Sequence, residues 1–206
     1  MSESREDGLE VKNIAFGLLT MITQTLSQIS EDELGKFVEL LAKHHPKRIL
    51  LLGAGRSGLV ARSLALRLLH LGYEVYVLGD TIVPSVSEKD LVIAISGSGT
   101  TRLILTAVEA ARNVGATIVA ITSFPESPLA KLADNIIVIK GRVMEKDDSK
   151  RDYFARQILG LHEPLAPLGT LFEDTCMVAL DALVSALMDK LKISETEMKN
   201  RHANIE

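Results

Sequence analysis

The chain has 206 residues, 47% hydrophobic and 24% charged, with a formal net charge of −4; this fits one compact domain with extensions and excludes a disordered chain. The slight acidity, with no basic stripe interleaved with aromatics, excludes a general field for nucleic acid, so an anionic ligand must be held locally. The opening Met1-Ser2-Glu3-Ser4-Arg5-Glu6-Asp7 lacks the basic and apolar regions of a signal peptide, and no apolar stretch approaches membrane-spanning length, so a cytoplasmic protein with no membrane partner is expected.

In chain order, Val11, Ile14, Leu18, Ile22, Leu26 and Ile29 form a helical stripe, and a second helix is expected over 31–43. Five β-rich runs follow, at 48–52, 74–78, 91–95, 116–121 and 135–139. Between them, 57–71 and 101–114 have helical periodicity and end near Gly72 and Gly115, which suit C-terminal caps, while 127–132 supplies a shorter crossover. This alternation predicts an α/β fold: a three-layer, doubly wound, five-stranded parallel sheet with extra N- and C-terminal helices. The charged stretch 145–152 reads as a solvated loop.

Residues 172–191 then read as a helix with Val178, Leu180, Leu183, Val184, Leu187, Met188 and Leu191 over a broad apolar face, and a short helix with a Ser194-Glu195-Thr196-Glu197 box follows. Apolar surface beyond what the sheet can cover predicts a subunit interface. One domain over 1–206 is expected, with N-terminal helices at 1–45, the sheet core at 46–141, and the C-terminal helix and tail at 165–206. The lone cysteine, Cys176, excludes an intrachain disulfide, and its apolar neighbours favour a small buried side chain over a nucleophile.

Two loops carry the chemistry. Ser96-Gly97-Ser98-Gly99-Thr100-Thr101 links a strand to a helix and holds four hydroxyls, more than a single N-cap needs; its glycines admit close backbone approach, and the helix start adds free N–H groups. This is the composition of a phosphate cradle. Gly53-Ala54-Gly55-Arg56-Ser57-Gly58 formally matches the dinucleotide fingerprint, but Val77 and Leu78 fill the place of the ribose-binding acid and Asp80 comes late, as a turn residue. In a flavodoxin-like strand order 2-1-3-4-5 the two loops flank one crevice, where Ser57, Ser96, Ser98 and Thr101 can converge on one phosphate. A phosphosugar explains both loops; a dinucleotide explains one.

These motifs resemble those of sugar isomerase (SIS) domains, and within them the 6-phospho-3-hexuloisomerase branch. The resemblance rests on the two glycine loops, on Pro167-Leu168-Gly169-Thr170-Leu171-Phe172-Glu173, and on Arg201-His202-Ala203-Asn204-Ile205-Glu206, and it covers nearly the whole chain. Thr100 stands where this loop often has glutamate, and Thr101 keeps the matching hydroxyl. The resemblance implies a homotetramer that needs no cofactor or metal. It also implies interconversion of D-arabino-hex-3-ulose 6-phosphate and fructose 6-phosphate through a cis-enediol, in the ribulose monophosphate pathway. Such a carbonyl shift needs only proton transfers.

The resemblance makes Glu173 the catalytic base. Spacing alone favours a capping box, because Thr170 and Glu173 form T-x-x-E. His202 would be usual as a solvated tail residue; the resemblance implies that it reaches an active site, its own or a neighbouring subunit's, as a proton relay. Arg56 is a candidate for the phosphate or the enediolate oxygen, against a surface salt bridge. Gly97 lets the backbone of the cradle approach the anion. His70 and His162, the latter beside Glu163, rank below His202, and His44 and His45 read as solvated near a helix end. A non-catalytic sugar-phosphate sensor would need neither Glu173 nor His202. Another aldose–ketose phosphosugar isomerase would share the base and the cradle and differ only in the substrate carbons, and sequence does not separate it.

Overall fold

The computed structural model describes residues 3–141, 166 and 168–204. Its strands β1 (Arg48–Gly53), β2 (Glu74–Val77), β3 (Leu91–Ile95), β4 (Thr117–Thr122) and β5 (Asn135–Val138) pair in parallel in the order β2-β1-β3-β4-β5. This is the predicted α/β sheet and its predicted order. Every residue of β3 is buried, as a strand covered on both faces requires.

The helices are α1 (Glu3–Leu26), α2 (Glu31–His44), α3 (Arg56–His70), α4 (Arg102–Asn113), α5 (Pro128–Leu132), α6 (Thr170–Leu191) and α7 (Glu195–Asn200). Alternation along the strands divides the core in two. Ile49, Leu51, Ile93, Ile95, Val119 and Ile121 pack with Phe37 and Leu41 of α2, Leu64 and Leu68 of α3, and Cys176 and Leu183 of α6. Leu50, Leu52, Val92, Ala94, Ile118 and Ala120 face the other way, onto Ile104 and Val108 of α4 and Leu129 of α5.

The expected helix stops are present. Gly72 and Gly115 adopt φ of 95° and 84°, and the N–H of the residue after each returns to the last turn, Tyr73 to Leu68 and Ala116 to Ala111. Ser194 and Glu197 form the predicted capping box. Asp80 is a turn residue whose N–H donates to the Val77 carbonyl, and its carboxylate also pairs with Arg62 at 2.7 Å.

Part of the apolar surface of the terminal helices stays uncovered by the sheet, as expected, and the reading of His44 and His45 as solvated needs correction. Only the C-terminal half of the first stripe is packed: Ile22 and Leu18 meet Leu171 and Ala166, whereas Val11 is 66% exposed. Val178 likewise faces outward from α6 at 45% exposure, because the sheet-facing sector of that helix is already filled by Cys176, Leu180 and Leu183. His44 and His45 are half-buried, since the end of α2 packs against the α3–β2 turn. His45 Nε2 lies 3.0 Å from the Leu71 carbonyl and its ring meets Tyr73 edge-on, while burial, assisted by Lys47, lowers the pKa of His44. Among the described residues no helix is long and apolar enough to cross a membrane, and no group of three or more His, Cys, Asp or Glu could hold a metal ion. The stretch 145–152, His162, Glu163, Pro167, Ile205 and Glu206 lie outside the described residues.

Candidate active site

Because β1 and β3 are neighbours and Gly53 stands opposite Ile95, the loops that follow them leave the sheet side by side at its C-terminal edge. In the first loop the glycines serve close packing of strand on helix. A Cβ on Gly53 would lie 2.5 Å from the Ser57 carbonyl oxygen and 2.8 Å from Gly58, and Gly55 turns the chain with φ of 58°. The turn buries Ser57 in the first turn of α3 and leaves Arg56 half exposed beside it.

The second loop is braced from below and behind. The Gly97 carbonyl accepts from the Ser123 N–H at 3.0 Å and the Thr122 hydroxyl at 3.3 Å. Gly99 has φ of 62°, and a Cβ there would collide with the Ser127 hydroxyl at 2.2 Å. Ser96 Oγ lies 3.2 Å from Thr101 Oγ1, and Ser98 Oγ accepts the Thr100 N–H. Thr101 is the N-cap of α4 without a capping side-chain bond. Its hydroxyl therefore remains beside that of Ser96, next to first-turn N–H groups that have no partner within the helix. Thr100 is exposed.

Helix α6 closes the crevice. The Phe172 ring is buried against Gly97, where an added Cβ would come within 3.0 Å of it. That contact sets the next residue, Glu173, over the first loop: its Oε2 accepts from Arg56 Nε at 3.0 Å and its Oε1 from the Ser57 hydroxyl at 3.4 Å. The N-cap of α6 is Gly169, and the Glu173 carboxylate thus spans to α3. Its pKa is raised, because burial outweighs the opposing pull of Arg56 and Ser57, and the negative charge of Asp174 adds to the rise. Arg56 also donates to Asp174 Oδ1 through Nη2 at 3.0 Å. Cys176 is fully buried, as expected, and burial followed by the nearby Glu173 charge holds its thiol protonated.

Arg56, Ser57, Ser96, Gly97, Ser98, Thr101 and Glu173 therefore gather at one edge of the sheet. His202 does not join them within the chain. Its ring lies 5.0 Å from that of His70, at the far end of α3, and those 15 residues separate it from Arg56 by about 21 Å. Sequence reasoning missed Asp174 and the bracing trio Thr122, Ser123 and Ser127, whose partners are distant in the chain; only the N-cap spacing of Ser127 left a trace.

Comparison with known proteins identifies the family. Residues 43–145 match the family model described as SIS domain. A protein of Mycobacterium gastri named 3-hexulose-6-phosphate isomerase is 36% identical, over 90% of this chain and 86% of its own length. The Bacillus subtilis protein of the same name is 34% identical over 92% and 95%. A solved structure from Methanococcus jannaschii, whose description infers a molecular function of 3-hexulose-6-phosphate isomerase, superposes with a TM-score of 0.72 at 30% identity, covering 96% of this chain and 99% of that one. The chain belongs to the SIS (sugar isomerase) domain family.

Proposed function

We propose that the protein interconverts D-arabino-hex-3-ulose 6-phosphate and fructose 6-phosphate by proton transfer through a cis-enediol. The observation that carries this reading is the half-buried Glu173 carboxylate, 3.4 Å from the Ser57 hydroxyl and with its pKa raised by burial, at the rim of the hydroxyl loop. A proton-transfer base gains from an affinity raised toward working pH and from an anchored substrate; burial of Glu173 acts in that direction, and the hydroxyl loop beside it supports the anchor. The names of the relatives from Mycobacterium gastri and Bacillus subtilis point to the same substrate.

In this reading Ser57, Ser96, Ser98, Thr101 and the first-turn N–H groups of α4 hold the phosphate, with Gly97 admitting close approach. Glu173 takes the proton from the carbon beside the carbonyl and returns one to its neighbour. Arg56 faces the developing enediolate oxygen. His202 serves a second subunit. Leu59, Leu66 and Leu69 lie exposed along α3, and two copies packed antiparallel across them bring the His70–His202 end of one to the Arg56–Glu173 end of the other.

Incubation with fructose 6-phosphate and a hexulose phosphate synthase running toward formaldehyde release tests the assignment. Formaldehyde is expected; its absence, with active synthase, rejects this substrate. Glu173→Gln should abolish turnover while preserving substrate binding, and near-normal turnover would remove Glu173 from the chemistry. Binding without any turnover in the unaltered protein would favour a sugar-phosphate sensor.

A further inference from the structure

Arg48 and Arg56 each engage carboxylate through both N–H groups of the Nε/Nη2 edge of the guanidinium, and the two contacts differ in form. Arg48 places both N–H groups of its Nε/Nη2 edge on one carboxylate: Nε donates to Asp90 Oδ1 at 3.0 Å and Nη2 to Oδ2 at 2.9 Å. Arg56 divides that edge, with Nε on Glu173 and Nη2 on Asp174, each at 3.0 Å. The fork occupies both oxygens of Asp90. The division leaves Glu173 with one hydrogen bond from Arg56 and a weak one from Ser57.

We infer that Asp174 is a positioning residue: by taking the Nη2–H of Arg56 it keeps the guanidinium from forking onto Glu173, and so leaves Oε1 of the base, met by the Ser57 hydroxyl at 3.4 Å rather than by a cationic donor, open to the substrate proton. This rests on the reading of Glu173 as the base. Asp174 and Glu173 are adjacent in the first turns of α6, so their carboxylates splay apart around the helix and a single planar guanidinium can bridge them. Without Asp174, the edge of Arg56 would close on Glu173 as that of Arg48 does on Asp90. The two carboxyls titrate accordingly: burial tends to raise both, but the fork and Ser87 hold Asp90 below its ordinary value, whereas Glu173 stays above its own. Among the described residues, the charges that bear on Glu173 are Arg56 from α3 and Asp174 from its own helix, while the buried Cys176 thiol is neutral.

Titration of the Glu173 carboxyl carbon by NMR tests this without substrate, in protein carrying labelled glutamate and with Glu173→Gln identifying the resonance. In Asp174→Ala the midpoint should fall by about one pH unit. Asp174→Asn retains an acceptor for Nη2–H and should move it clearly less, while Asp174→Glu should stay near the unaltered protein. In the isomerisation assay the acid limb of kcat/KM should follow the same series. An unmoved or raised midpoint in Asp174→Ala overturns the proposal. Equal falls in Asp174→Ala and Asp174→Asn overturn it too, since Asp174 would then act only as a charge. Inactivity toward hexulose phosphate with the expected titration series would reject the substrate assignment alone.

Discussion

Replacing Gly97 with alanine asks whether the hydroxyl loop and Glu173 share one mechanical support. The added methyl would lie 3.0 Å from Cδ1 of Phe172 and 3.3 Å from Cε1 and Cγ, where relaxed carbon contacts fall at about 3.5–4.0 Å. The ring must then retreat by about half an ångström, and at 3% exposure it has no solvent to retreat into. Backbone strain adds nothing, since Gly97 is not among the glycines with positive φ. Overpacking at one ring edge belongs at the lower end of the usual penalty, about 1–1.5 kcal/mol. The larger effect is on turnover. Glu173 follows Phe172 directly; since a misplacement of about 1 Å costs roughly 10²-fold, a shift of about half that should lower kcat by about 10-fold. Turnover and thermal unfolding of Gly97→Ala, Phe172→Leu and the double variant measure both effects, and leucine, which lacks the ring edge, should restore part of the lost kcat. Unchanged turnover in Gly97→Ala, or strictly additive losses in the double variant, would show that the contact transmits nothing to the base.

Two further outcomes follow from the described contacts. Asp90 is buried and held below its ordinary pKa, so its stabilising contribution is complete above the unfolded carboxylate pKa of about 3.9 and is lost as pH falls through the lower folded value. Asp90→Asn should cost about 2 kcal/mol near neutral pH and flatten the acid side of the stability curve in urea titrations; an equally steep acid loss would assign that loss to other carboxylates. Mixing Glu173→Gln with His202→Ala copies, each inactive alone, should restore about a quarter of unaltered activity if random two-fold pairing completes each site with the partner's tail. No recovery after verified subunit exchange, or a monomeric mass at micromolar concentration, would confine the site to one chain.

The sheet was legible because its strands announce themselves twice, by short apolar runs rich in Val and Ile such as Leu91-Val92-Ile93-Ala94-Ile95 and by glycines where the helices between them stop. Strand order followed from the need to bring two polar loops together, and the pairing of β1 with β3 satisfies it. Spacing misled where a local motif competed with a distant partner. Thr170-x-x-Glu173 has the form of a capping box, yet the Glu173 carboxylate reaches Arg56 and Ser57, more than a hundred residues away. Asp174 carried no signal at all, because its role depends on which edge of Arg56 it meets. An uncovered apolar surplus on α1 and α6 was expected, but which residues carry it was not legible: periodicity reports an apolar side, and what covers each residue depends on tertiary packing.

The bracing of the hydroxyl loop has a thermodynamic corollary. Its carbonyl at Gly97, its turn at Gly99 and its paired hydroxyls at Ser96 and Thr101 are already engaged with β4, with the segment leading into α5, and with one another. An anion arriving there finds an ordered receptor, so little binding energy is consumed in organising the loop. Interactions at the unreactive end of the molecule can instead hold the carbonyl end against a carboxylate on another helix. In the proposed reaction, a loop remote from the bonds that change would thereby contribute to the rate as well as to affinity.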